Sequence, residues 1–182
     1  MADRAPLGSG QVLVRRILEE RARALARPLR SDEPPDTIEM VVMEVGTERY
    51  GVGAGSVHEV RHLSRLAPVP GTPQFWAGIV SIRGTLYPVL DLRRYLSLPE
   101  AGQAREPKKI VLVSGSALTV GLMVDGVAGI RRVPAAEIGP PLAGASGAVR
   151  QAARGVTADL LTVVDVEVLL SDPELVVKEE PA

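Results

Sequence analysis

The chain of 182 residues has no cysteine. Disulfides, thiolate metal sites and cysteine nucleophiles are therefore excluded. Histidine is almost as scarce: His58 and His62 stand four apart. On a helix that spacing would put both imidazoles on one face, but no other ligand residues gather around them, so they read as solvated side chains and not as a metal pair. Aromatics are few, with one Trp, one Phe and three Tyr. Charge of one sign is also missing: 21 basic residues face 22 acidic ones. That balance provides no general attraction to nucleic acid or anionic lipid. No apolar run reaches membrane-spanning length. Met1-Ala2-Asp3-Arg4 lacks the apolar stretch of a signal peptide. The expectation is a soluble, cytoplasmic protein without cofactor or metal.

Glycine (18) and proline (15) are plentiful, as in chains of many short strands joined by turns. The stretch from Gly78 to Leu92 organises the rest. It is two runs rich in Ile, Val and Leu joined at Gly84, and Gly84 can take the positive φ of a tight hairpin turn. Pro88 cannot donate to a ladder, so the second run is expected to be an edge strand or to carry a bulge. Asp91 then precedes Leu92-Arg93-Arg94-Tyr95-Leu96 and is placed to cap a helical turn. The unit contains no acid–base pair, no nucleophile with a partner and no ligand cluster, which points to binding and not to chemistry.

Residues 9–29 read as an amphipathic helix, with Val14, Ile17, Leu18, Ala22, Leu25 and Leu29 near helical spacing and Glu19 four before Arg23. Residues 30–36, with Pro34-Pro35 and four charges, read as a linker. From Thr37 the pattern becomes β: a nearly continuous apolar run over 38–45, a turn at 46–48, a strand over 49–54, then Val57, Val60 and Leu63 marking one side of a helical turn or an irregular strand. The polar stretch 100–107 is a loop, and the segment after Asp172 reads as a short acidic tail.

The chain also repeats itself. Val120-Gly121-Leu122-Met123-Val124-Asp125-Gly126-Val127 runs alongside Tyr50-Gly51-Val52-Gly53-Ala54-Gly55-Ser56-Val57, and Ile130 falls opposite Val60. Thr162-Val163-Val164-Asp165 matches Pro88-Val89-Leu90-Asp91. Two copies about 70 residues apart imply a pseudo-dimer, each copy with about five strand-like runs. Two packed lobes leave a groove with apolar walls, a natural place for a partner. The second copy is degraded: Ala153-Arg154-Gly155-Val156 stands where the first has Gly78 to Gly84.

At Phe75-Trp76-Ala77-Gly78-Ile79-Val80-Ser81-Ile82-Arg83-Gly84 and on to Pro88-Val89-Leu90-Asp91-Leu92, the sequence resembles the CheW family of chemotaxis coupling proteins, with Ser81-Ile82 where that pattern has Asn-Leu. Tyr50-Gly51-Val52, Val57-His58-Glu59-Val60 and Gly121-Leu122-Met123-Val124-Asp125-Gly126-Val127 also match, in order. The resemblance implies a mostly β fold of two packed five-stranded SH3-like barrels, here with an N-terminal amphipathic helix. It implies an extension and linker over 1–36, a domain over 37–172 (lobe 1 about 46–100, lobe 2 about 37–45 plus 101–172) and a tail over 173–182. It further implies a non-enzymatic adaptor, without catalytic residues, that links the cytoplasmic tips of chemoreceptors to the regulatory domain of a CheA-type histidine kinase. Carried over residue by residue, Val57, Glu59, Val60, Gly78, Arg83 and Ile130 become the receptor-binding positions, with Glu59 and Arg83 expected as a partly buried ion pair. The competing expectation is a small-metabolite-binding double barrel, or a hydrolase using Asp91, Asp125 and Asp165.

Overall fold

A computed structural model describes residues 36–99, 108–116, 118–141 and 151–176. The helix expected over 9–29 falls outside them. Strand β1 (Thr37–Val45) is buried on both faces, which explains its unbroken apolar run. Met40 and Val42 point into a small cluster with Val133, Leu161 and Val163. Val41, Met43 and Val45 point the other way, into the main core with Tyr50, Val52, Val111 and Leu122. The chain turns at Gly46, and β2 (Glu48–Gly53) pairs antiparallel with β1.

A 3₁₀ turn, Ala54–Ser56, leads to β3 (Val57–His62). Strands β4 (Trp76–Ile82) and β5 (Thr85–Asp91) form the expected hairpin, with both Arg83 and Gly84 at positive φ. Asp91 caps α1 (Leu92–Tyr95) by accepting from the Arg94 amide at 3.3 Å. Then come β6 (Lys109–Ser114), β7 (Thr119–Val124), β8 (Gly126–Pro134), β9 (Ala153–Val156) and β10 (Leu161–Val164). Asp165 caps α2 (Val166–Leu170) as Asp91 caps α1. Two of the three aspartates that a hydrolase would need are therefore helix caps.

The strands form two five-stranded sheets, ordered β8-β1-β2-β10-β9 and β3-β6-β7-β5-β4. Exchanging each strand of β1–β5 with the one five places later turns one order into the other. The single parallel pair falls at the same place in each, β2 with β10 and β7 with β5. The internal repeat is thus a structural repeat, and its halves are interlocked: each sheet is built from the first two strands of one copy and the last three of the other.

This corrects the expected lobes. Residues 48–53 do not join the sheet of 57–91, and 109–124 do not join that of 126–164. The reason is the tightness of the β1–β2 and β6–β7 hairpins, whose strands cannot part. The crossings come afterwards, at residues 54–56 and at Asp125. Nor are the sheets closed barrels: no ladder joins β8 to β9 or β3 to β4. Crossing segments flank β4 and β9 instead, each through one two-way bridge, Ala67 with Ile79 and Gly139 with Val156. Strand β5 is internal and not an edge. Pro88 is tolerated one residue before its ladder with β7 begins at Val89, and the bulge falls at Ala77 on β4. The domain also runs past 172: Pro173–Leu175 is a 3₁₀ turn capped by Asp172, and Leu175 is buried in the main core.

Three further contacts tie the ends of the sheets together. Asp125 accepts from the Gly46 amide at 2.6 Å and from Arg93, which also donates to the Pro99 carbonyl at 2.8 Å. At the repeat-related corner Glu167 accepts from the amide and hydroxyl of Ser116, both at 2.9 Å. Asp159, in the β9–β10 turn, bridges Arg49 on β2 and Arg131 on β8. Hydrogen bonds from Arg131 and Thr157 hold its carboxyl well below the usual carboxylate range.

The bridges explain two glycines. A Cβ on Gly78 (φ 139°) would sit 2.2 Å from the Ala67 carbonyl oxygen, and one on Gly155 would sit 2.2 Å from that of Gly139. Backbone cannot yield there as a side chain end can. Gly78→Ala and Gly155→Ala are each expected to cost about 2–3 kcal/mol in chemical denaturation, against less than about 0.5 kcal/mol for an exposed control such as Ser64→Ala.

Candidate partner-binding groove

A groove of about 380 Å³ opens between β3 and β8, the edge strands of the two sheets, with Val41 and Ala54 among its lining residues. Its walls owe their shape to two β-bulges. In β3, Val57 pairs with Val113 and Glu59 with Leu112, leaving His58 as the extra residue. In β8, Val127 pairs with Met43 and Gly129 with Val42, leaving Ala128 as the extra residue. His58 and Ala128 are repeat-related.

An extra residue flips the facing of all that follows. Without the bulge, Val57 and Val60, three apart, would point to opposite faces. With it, Val57 lies over Val113 and Val60 over Val111, both main-core residues. Likewise Val127 lies over Met43 and Ile130 over Val41. Each wall therefore presents two aliphatic side chains to the same groove. Val60 is 41% and Ile130 71% exposed, high for large aliphatics, while Val57 and Val127 pack partly against the core below.

Of the six positions singled out from the sequence, Val57, Glu59, Val60 and Ile130 line this groove. Gly78 does not. It is buried beneath the Ala67 carbonyl and borders a separate apolar pocket of about 250 Å³ with Trp76, Pro88 and Leu175. Arg83 does not line the groove either, but its Nη2 reaches Glu59 Oε1 at 3.4 Å. The expected burial of this pair is not met. The Arg83 side chain is 80% and Glu59 25% exposed, and the carboxylate is shared with Arg61 at 3.7 Å. A hairpin tip at positive φ holds Arg83 out in water, where pairing is weak and screened.

Sequence reasoning missed His58, Val127 and Lys109, which also line the groove. Val127 was within reach, since the repeat sets it opposite Val57. Lys109 was not: its place depends on the pairing of β6 with β3. Asp125, the third aspartate a hydrolase would use, is held by Gly46 and Arg93. Among the described residues no three His, Asp or Glu gather as metal ligands, and no helix is long and apolar enough to cross a membrane.

An apolar groove between two interlocked sheets, with its aspartates committed to caps and corners, defines a protein-interaction module. Comparison with known proteins agrees. Residues 39–174 match the family model described as the CheW-like domain. Protein FrzA of Myxococcus xanthus is 40% identical over 126 residues, 69% of this chain and 75% of that protein. Chemotaxis protein CheW of Klebsiella aerogenes is 28% identical over 148 residues, 79% and 88% of the two chains. The crystal structure of scaffolding protein TtCheW from Thermoanaerobacter tengcongensis matches with a TM-score of 0.65 at 25% identity, over 75% of this chain and 94% of that one. The chain belongs to the CheW-like family. It is a chemotaxis coupling adaptor and not an enzyme, in a family that couples chemoreceptors to the kinase CheA.

The exposure of the Glu59–Arg83 pair gives a direct expectation. Arg83→Ala should change unfolding free energy by less than about 1 kcal/mol in urea titration; a loss of several kcal/mol would mean that the pair is desolvated after all.

Proposed function

We propose that the groove between β3 and β8 receives the helical cytoplasmic tip of a chemoreceptor, and that other surfaces of the same domain meet the regulatory domain of a CheA-type histidine kinase. The observation that carries this reading is the doubled wall. Two aliphatic pairs, Val57 with Val60 and Val127 with Ile130, face one groove from repeat-related strands. A thin helical hairpin offers aliphatic side chains one helical turn apart, and helix-in-groove docking buries such residues between apolar walls. Glu59 on one wall supplies a charge that sets register more than affinity. Gly78 and Arg83 act beside the groove: Gly78 by letting residues 67–68 pass, Arg83 by holding Glu59 from the next hairpin. The adaptor works in the cytoplasm and reaches the membrane only through its partners. Receptor state reaches the kinase through differential contacts in the shared assembly.

Val60→Glu and Ile130→Glu test this. Both sites are exposed, so melting temperature should stay within about 2 °C of the parent. Affinity for a receptor-tip helical hairpin, read by titration calorimetry, should fall at least about 10-fold, while binding of the kinase regulatory domain should persist. Retained tip binding in both variants would remove the groove from the reading. Glu59→Arg and Arg83→Glu, alone and together, then ask whether the pair acts as a unit: tip binding recovered in the double swap beyond the sum of the singles shows that it does.

A further inference from the structure

The two walls share a backbone plan but are not held alike. His58, the extra residue of the β3 bulge, places Nε2 2.7 Å from Ser114 Oγ at the end of β6. Ser114 Oγ lies 2.6 Å from Thr119 Oγ1 at the start of β7. The turn joining these strands is held from beneath by Glu167, through the amide and hydroxyl of Ser116. A line of hydrogen bonds therefore runs from the bulge on the groove rim into the β6–β7 hairpin, whose turn is tied to α2. At the repeat-related place in β8 stands Ala128, whose methyl group can make no such bond. Gly129 follows at φ 126°, with nothing within 4 Å of where a Cβ would be. The β3 bulge is thus pinned through the side chain of its extra residue, whereas the β8 bulge is not; β8 is held by side chains only beyond its bulge, at Arg131 and Arg132.

We propose that His58 is the positioning residue of the groove: its bond to Ser114 holds the β3 bulge in the form that sets Val57 and Val60 on one face, so that the β3 wall is preset before the helix binds. A bulge is a local choice of register, and slipping it by one residue would swing Val60 away from the groove. The Ser114 bond favours the register seen. Holding the anchors in place before the partner arrives lowers the ordering cost of association. His58 need not touch the partner to do this. The inference rests on the receptor-groove reading, and the experiment separates the two.

The test uses the full chain with His58→Ala, Ser114→Ala, their double variant and His58→Gln, beside Val60→Glu. Binding of the receptor-tip helical hairpin is measured by calorimetry, and amide hydrogen exchange is followed at Glu59 and Val60. His58→Ala and Ser114→Ala should each weaken binding about 3–10-fold, as loss of one hydrogen bond allows. The double variant should be no worse than the weaker single, because both remove the same bond. His58→Gln keeps a side-chain amide able to bond Ser114 and should return binding to within about 2-fold of the parent. Protection at Glu59 and Val60 should fall in the alanine variants, with kinase-domain binding and melting temperature unchanged. Additive losses, or no rescue by glutamine, overturn the proposal. Unchanged tip binding in His58→Ala while Val60→Glu is defective overturns it alone. Unchanged binding in Val60→Glu removes the groove reading and this proposal with it.

Discussion

The molecule depends on one constraint: two tight hairpins, β1–β2 and β6–β7, each belong to the sheet of the other repeat. Hairpins with turns of two residues (β1–β2) and four (β6–β7) travel as units, so wherever β1 goes β2 follows, and β7 follows β6. The exchange places β1, β2, β6 and β7 in the interior of their sheets, where both faces must be apolar. One face of each sheet fills its own small cluster, and the other joins the shared main core. Neither half has a core independent of its counterpart. The turns of the two hairpins are fastened by polar contacts of different chemistry, Asp125 and Arg93 at the β1–β2 turn and Glu167 with Ser116 at the β6–β7 turn. The architecture was kept while the side chains diverged.

The groove follows from the same exchange. Crossing from β2 to β3 and from β7 to β8 leaves β3 and β8 as facing edges. Edge strands expose backbone and invite unwanted pairing, and bulges are a common way to blunt them. Here the bulges at His58 and Ala128 do a second thing: they gather two aliphatic residues per edge onto the groove side. What would be an aggregation hazard as a flat edge becomes a shaped apolar surface for a chosen partner. An adaptor needs no more chemistry than that; Asp91 and Asp165 cap helices, and Asp125 holds a corner.

Much of this was legible in advance, for local reasons. The hairpin at Gly84 and the caps at Asp91 and Asp165 are decided by residues within a few positions of one another. The repeat was visible because buried positions keep their residue type. Val57 and Val60 were singled out by the family resemblance, and Ile130 because the repeat sets it opposite Val60. Other features were illegible because they are long-range. Residues 48–53 and 109–124 appear contiguous with their neighbours in the chain, and no local signal tells which sheet a hairpin joins. The Glu59–Arg83 pair was recognisable from charge, but its exposure depends on where a hairpin tip ends up. Gly78 resembled a surface position and proved to be a packing glycine beneath the Ala67 carbonyl, a contact eleven residues away.

The amino-acid sequence alone determined the β-rich composition, the duplication, and the turns and caps, since these rest on residue type and short spacing. Only the tertiary structure decided which strands share a sheet, that the sheets stay open, and that the bulges at His58 and Ala128 bring Val57, Val60, Val127 and Ile130 to one groove. Facing in a strand has a period of two, so a single inserted residue reverses it, and whether a residue is inserted is known only from the strand it pairs with.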